Sequence, residues 1–162
     1  MRTLLAALTA LMLFATPAVA QTWNDADDAY KAGNYEKAFR IWKPIAEQGH
    51  LFTQFRIAGM YSFGKGVPKN ESKAVYWYRR AAKQGAFYAQ QELGYMYFRG
   101  YGVPKDYVQA YAWWSACGVY TYYDCRMDAD SLEREMTREQ IARGQELAAK
   151  YFEKYVKPFQ KD

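Results

Sequence analysis

Apolar residues along the chain fall at spacings of three and four, and short runs rich in glycine, proline and asparagine interrupt them. That alternation predicts a series of short helices. From Trp23 to Lys31 the apolar positions are Trp23, Ala26, Ala29 and Tyr30, and Gly33-Asn34 breaks the run. Asn34 is placed to cap a second helix that turns Tyr35, Ala38, Phe39, Ile41, Trp42, Ile45 and Ala46 inward and ends at Gly49. Pro44 inside that span predicts a kink or the loss of one backbone hydrogen bond. The next helix, Leu51 to Phe63, turns Ile57, Ala58 and Tyr61 inward; its partner, Glu71 to Gln84, turns in Ala74, Trp77, Tyr78, Ala81 and Ala82. A similar pair follows: Phe87 to Arg99 with Ala89, Leu93, Gly94 and Tyr97 inward, and Tyr107 to Gly118 with Ala110, Trp113, Trp114 and Cys117 inward.

The two pairs are copies. The phrase Gly64-Lys65-Gly66-Val67-Pro68-Lys69-Asn70 returns 36 residues later as Gly100-Tyr101-Gly102-Val103-Pro104-Lys105-Asp106, and the same shift lays Met60-Tyr61 on Met96-Tyr97 and Trp77 on Trp113. A period of this length suits a stacked helical hairpin, which cannot bury its apolar face alone. Within the phrase, the first glycine suits a left-handed helix end and the second another tight bend. Val-Pro blocks continuation of the helix, and Asn70 or Asp106 caps the next one. The glycines do not make a nucleotide-binding loop, because no strand precedes them, a proline follows, and no Gly-Lys-Ser/Thr ending is present.

Beyond Cys117 the pattern changes. Residues 118–124 read as a loop, and Cys125 opens a helix toward Met136. Thr137 and Gln140 form a capping-box pattern ahead of a last helix that reaches about Tyr155, with Ile141, Ala148, Phe152 and Tyr155 on one stripe and charge on the other face. A closing helix of that kind keeps the end of a stack soluble.

The first 20 residues read differently from the rest. Arg2, the apolar run from Leu4 to Phe14 and Ala18-Val19-Ala20 have the form of a secretory signal peptide, with the mature chain starting at Gln21. Removing them leaves 21 basic against 17 acidic residues, a net charge of +4, with the signs interspersed. No nucleic-acid footprint is indicated, and no stable membrane insertion is expected after cleavage. The expected location is periplasmic or secreted. Cys117 and Cys125 are the two cysteines, and an even count in an exported chain favours a disulfide, here closing a short loop for roughly 2.5 kcal/mol. No metal or cofactor is expected: His50, the single histidine, lies in a different unit from the cysteines and reads as a capping or surface residue. Neither Gly-x-Ser-x-Gly nor His-Glu-x-x-His occurs, and the carboxylate pairs Asp27/Asp28 and Asp128/Asp130 point to different sides of their helices.

Ala89-Gln90, Leu93-Gly94, Met96-Tyr97, Gly100-x-Gly102-Val103, Asp106, Ala110 and Trp113, with their counterparts from Gln54 to Gly85, together resemble the Sel-1-like repeat family, relatives of the tetratricopeptide repeats. The resemblance implies an all-α, right-handed α-solenoid of antiparallel helix pairs. About three units are expected, near residues 23–49, 50–85 and 86–118, with closing helices over 125–156, all within one domain spanning 21–162. It also implies a non-enzymatic role in protein assembly. Tetratricopeptide-like stacking turns Tyr88, Gln91, Tyr95, Phe98 and Arg99 to the concave side, and the 36-residue shift adds Phe52, Phe55, Gly59, Ser62 and Phe63. Rings with little charge among them suit an extended peptide or a partner helix from another protein of the cell envelope. On this reading, truncating Tyr95 and Phe98 leaves melting unchanged. Two alternatives stand beside it. The Cys117/Cys125 spacing resembles cysteine-rich members linked with β-lactam binding or hydrolysis, which implies an enzyme acting on β-lactam or cell wall; a regulator of a membrane sensor's exported domain is the other.

Overall fold

The computed structural model describes residues 17–117 and 124–160, and these form eight α-helices and one 3-10 turn without a strand. In order they are α1 (Pro17–Lys31), α2 (Tyr35–Glu47), α3 (Leu51–Phe63), α4 (Glu71–Ala82), α5 (Phe87–Arg99), α6 (Tyr107–Cys117), α7 (Asp124–Glu133) and α8 (Arg138–Tyr155), then the turn Lys157–Phe159. Each helix from α1 to α6 packs on the next in sequence, and α6 takes both α7 and α8. The result is an α-solenoid of hairpins. The expected loop over 118–124 and the helix end at Gly118 lie outside the described residues, except that Asp124 already begins α7. Of the leader, residues 1–16 lie outside them too, and Pro17–Ala20 starts α1.

The inward stripes follow the sequence pattern. Trp42, Ile57, Leu93, Ala74, Ala81 and Trp113 are among the buried residues of one apolar cluster running from α1 to α6. A second cluster joins Ala110, Tyr111 and Trp114 of α6 to Ala129, Leu132 and Met136 in and beyond α7. The seam of α8 differs from the expected stripe. Ile141 and Tyr155 do pack inward, but so do Gly144, buried where a Cβ would press on the Tyr111 ring, and Tyr151, whose ring centroid is 4.2 Å from that of Trp113. Burial pushes the Tyr151 hydroxyl up to about 12.

The repeated turn phrase does more than reverse the chain. Gly64 and Gly100 end α3 and α5 in the left-handed conformation, at φ +68° and +75°, and the side chains of Asn70 and Asp106 accept from the backbone N–H groups of Lys73 and Gln109 at 2.9 and 3.0 Å. Gly66 and Gly102, also at positive φ, touch the preceding unit. A Cβ on Gly66 would overlap the backbone of Tyr35 and Glu36 where α2 begins, and one on Gly102 would overlap Glu71 and Ser72 where α4 begins. Ser72 Oγ donates to the Gly102 carbonyl at 3.2 Å across that joint. Two buried glutamines tie the same units from the other end. Gln54 Nε2 donates to the Ala46 carbonyl at 3.0 Å, Gln90 Nε2 to the Ala82 carbonyl at 3.1 Å, and so each serves the carbonyl end of the helix before it.

Helix pairs approach closely at one further glycine. Gly94 faces Trp114, and an added methyl would overlap the indole whose Nε1 donates to the Gln91 carbonyl at 3.1 Å. Gly94→Ala is therefore expected to lower unfolding stability by about 1–3 kcal/mol through overpacking. Gly59, mid-helix in α3, is the control: its nearest neighbour to an added methyl is the Tyr78 hydroxyl at 3.7 Å. There alanine is expected to raise stability by up to about 1 kcal/mol through helix propensity. Denaturant midpoints at unchanged slope measure both, and a neutral Gly94→Ala would contradict the close packing.

Candidate functional site

The candidate surface is the side of α3 and α5 that neither helix buries against its partner. Phe52 and Phe63 of α3 are 66% and 72% exposed, and Tyr88 and Tyr95 of α5 are 59% and 41% exposed. Phe52 and Tyr88 are related by the 36-residue shift, so the stacking places two large rings at equivalent points of adjacent units. Phe55 lies between the layers, half-buried, with its ring 5.5 Å from Tyr78 beneath and 6.2 Å from Tyr88 beside it. Arg99 is exposed and holds its guanidinium 5.6 Å from the Tyr95 ring and 5.2 Å from that of Phe98.

Not every residue of the expected row is free to meet a ligand. Phe98 is half-buried, 5.6 Å from the Trp114 ring and stacked at 5.7 Å on Tyr107. The expectation that its truncation leaves melting unchanged is corrected, since the ring packs on the α6–α7 cluster. Tyr95 keeps that expectation, because its contacts are an edge to Tyr101 at 5.9 Å and the Arg99 cation. Gln91 is half-buried, and its backbone carbonyl is already engaged by Trp114.

Two charged positions on the same side escaped the row of rings. Arg56 of α3 sits 3.6 Å from the Asp27 carboxylate of α1, with its guanidinium 5.7 Å from both the Tyr30 and Trp42 rings. Glu92 of α5 stands at the equivalent place one unit on. A period search for rings passes over charges, whereas reading the 36-residue alignment for every position brings out this pair.

Other candidate chemistry resolves into structure. His50 caps α3, its Nδ1 accepting from the Thr53 N–H at 3.4 Å, and burial lowers its pKa, in the direction of the neutral ring that such a cap requires. Ser62 and Lys65 have the Ser-x-x-Lys spacing of some serine hydrolases, but Lys65 lies beyond the end of α3 and its Nζ donates to the Tyr30 hydroxyl at 3.2 Å. Cys117 and Cys125 form a disulfide between α6 and α7. Among the described residues, no group of three or more His, Cys, Asp and Glu side chains is arranged to hold a metal ion.

A family model described as Sel1 repeat matches residues 27–50, 52–85 and 87–116, more than half of the chain. The chain belongs to the Sel1 repeat family. Sel1 repeats generally mediate protein–protein interaction and typically serve as non-enzymatic scaffolds. Among solved structures the Sel1 chain is similar to c5321, a protective antigen present in uropathogenic Escherichia coli strains displaying an SLR fold, with TM-score 0.80 and 28% identity over 88% of this chain and 33% of that one. It is similar also to a Sel1 repeat protein from Oxalobacter formigenes, with TM-score 0.63 and 28% identity over 69% of this chain and 87% of that one. An exopolysaccharide production negative regulator of Rhizobium meliloti (strain 1021) is 37% identical over 46 residues, 28% of this Sel1 chain and 17% of the regulator. The chain thus spans a third of the antigen and about a sixth of the regulator.

Proposed function

We propose that the exposed side of α3 and α5 binds an extended segment or a helix of another protein, and that the protein does so after export to the periplasm or cell surface. One observation carries the reading. The rings of Phe52 and Tyr88, fixed one repeat apart, are each more than half exposed, while on the second-of-pair helices α4 and α6 the rings of Trp77, Tyr78, Tyr111, Trp113 and Trp114 are buried and Tyr76 stands exposed without an exposed ring at the equivalent position, Ala112, one unit on. Flat, stiff side chains left in water on a repeated scaffold lose little entropy on binding and bury much area. Export is supported by the leader-like Met1–Ala20 and by the Cys117–Cys125 bond, since disulfides persist in oxidising compartments. No helix among the described residues is long and apolar enough to cross a membrane.

The test pairs Phe52→Ser with Tyr88→Ser in the full chain. Unfolding stability is expected to hold within about 0.5 kcal/mol of wild type, as for exposed positions. Crosslinking to a partner in the envelope of the source cell, read by mass spectrometry, is expected to fall at least tenfold. Undiminished crosslinking would remove this face from the interaction, and turnover of a chromogenic β-lactam by the purified protein would replace the binding reading with a catalytic one.

A further inference from the structure

Charge at the two junctions between first-of-pair helices is handled differently. At the first, Arg56 of α3 meets Asp27 of α1, which lies six residues before the left-handed Gly33 that follows its helix. At the second, the residue equivalent to Arg56 is Glu92, and the place six residues before Gly64 on α3 is Ala58. The position of Arg56 thus carries a carboxylate in the next unit, and the position of Asp27 an alanine. The ring beneath Arg56 is Trp42, and the 36-residue shift puts Tyr78 beneath Glu92.

Glu92 is half-buried, and among the described residues nothing donates a hydrogen bond or an ion pair to it. Burial pushes its carboxyl above the ordinary carboxylate range, and burial, with a smaller contribution from the Glu92 charge, raises the Tyr78 phenol as well. A partly desolvated carboxylate without a cation destabilises the free protein, so its presence is not explained by the fold. On α5 it shares one face with Tyr88, four residues before it, and Tyr95, three residues after it, both rings exposed. Gly59 of α3 adds no side chain beside the Tyr78 hydroxyl, from which an added Cβ would stand 3.7 Å. A carboxylate flanked by aromatic faces is complementary to a cation on a long apolar stem, the arrangement Arg56 already makes inside the chain with Asp27, Tyr30 and Trp42.

We propose that the segment bound in the groove carries a lysine or arginine whose cation seats on Glu92 between the rings of Tyr88 and Tyr95. This rests on the groove reading above and adds the chemistry of the partner to it.

The probe is a phage-displayed library of random dodecapeptides selected on the full chain with its disulfide formed. Peptides whose binding depends on Phe52 and Tyr88 are expected to share a basic residue, and replacing that residue with glutamine is expected to weaken binding about ten-fold or more. Glu92→Gln is expected to weaken the parent peptides to the same extent and to leave the glutamine-substituted peptides unaffected, as a coupled pair requires. The melting midpoint of Glu92→Gln is expected to stay level or rise. Groove-dependent peptides that lack a basic residue, or that ignore Glu92→Gln, would overturn this inference and leave the groove standing. If no selected peptide depends on Phe52 and Tyr88, the groove reading itself falls, and this inference falls with it.

Discussion

Replacing Gly102 with alanine is expected to cost the fold several times what the same change costs at Gly33. Both residues hold a positive φ, +69° and +80°, so both substitutions force an L-residue into the left-handed region. At Gly33 that is all, because an added methyl meets nothing within 4 Å, and the expected loss is about 1 kcal/mol. At Gly102 the methyl would occupy the space of the Glu71 carbonyl and the Ser72 nitrogen, backbone atoms at the start of α4 that move only if the helix does. The expected loss there exceeds about 3 kcal/mol, since strain and overpacking act together. Gly66→Ala is expected to behave like Gly102→Ala, through the same contact with Tyr35 and Glu36. Guanidinium midpoints compare the three. Equal losses at Gly33 and Gly102 would mean that the turn does not bear on the neighbouring unit.

Removing the disulfide as Cys117→Ser with Cys125→Ser is expected to cost about 2.5 kcal/mol of closure entropy, the bond closing a sequence separation of 8. The loss should be local. Beyond that bond, α7 is held by Ala129, Leu132 and Met136 against Tyr111 and Trp114, whereas α1–α5 share a separate cluster with Trp113. Hydrogen exchange is expected to show the amides of α7 losing protection while those of α3 and α4 keep theirs. Uniform loss across the chain would show that α7 supports the whole stack; no loss would show that the α6–α7 packing suffices without the bond.

The hairpins were legible because one signal repeated. Ile57 and Leu93, Ala74 and Ala110, Trp77 and Trp113 carry the same burial at the same offset, and Asn34, Asn70, Asp106 and Thr137 stand at the caps their side chains suggest. What stayed hidden depends on neighbours outside the local pattern. The spacing showed Gly66 and Gly102 as bends but not as contacts, because the atoms they touch lie about 30 residues back. Gln54 and Gln90 are polar, yet each is buried to serve a carbonyl of the preceding helix, a role that only the stacked neighbour reveals. On α8 the expected stripe missed Gly144 and Tyr151, since a glycine carries no apolar signal and the choice of face is made by Tyr111 and Trp113. For the candidate surface, exposure separates Phe52, Tyr88 and Tyr95 from Phe98, a distinction that turns on the position of Trp114 and Tyr107.

Partners are expected to meet the first-of-pair helices. A photoreactive benzoylphenylalanine at Tyr88, on α5, tests it against the same probe at Tyr76, an equally accessible ring at 53% exposure on the second-of-pair helix α4. Irradiation in the source cell is expected to give a partner adduct from position 88 and none from position 76. Adducts from 76 with none from 88 would contradict the claim and move the interaction to the opposite side of the stack.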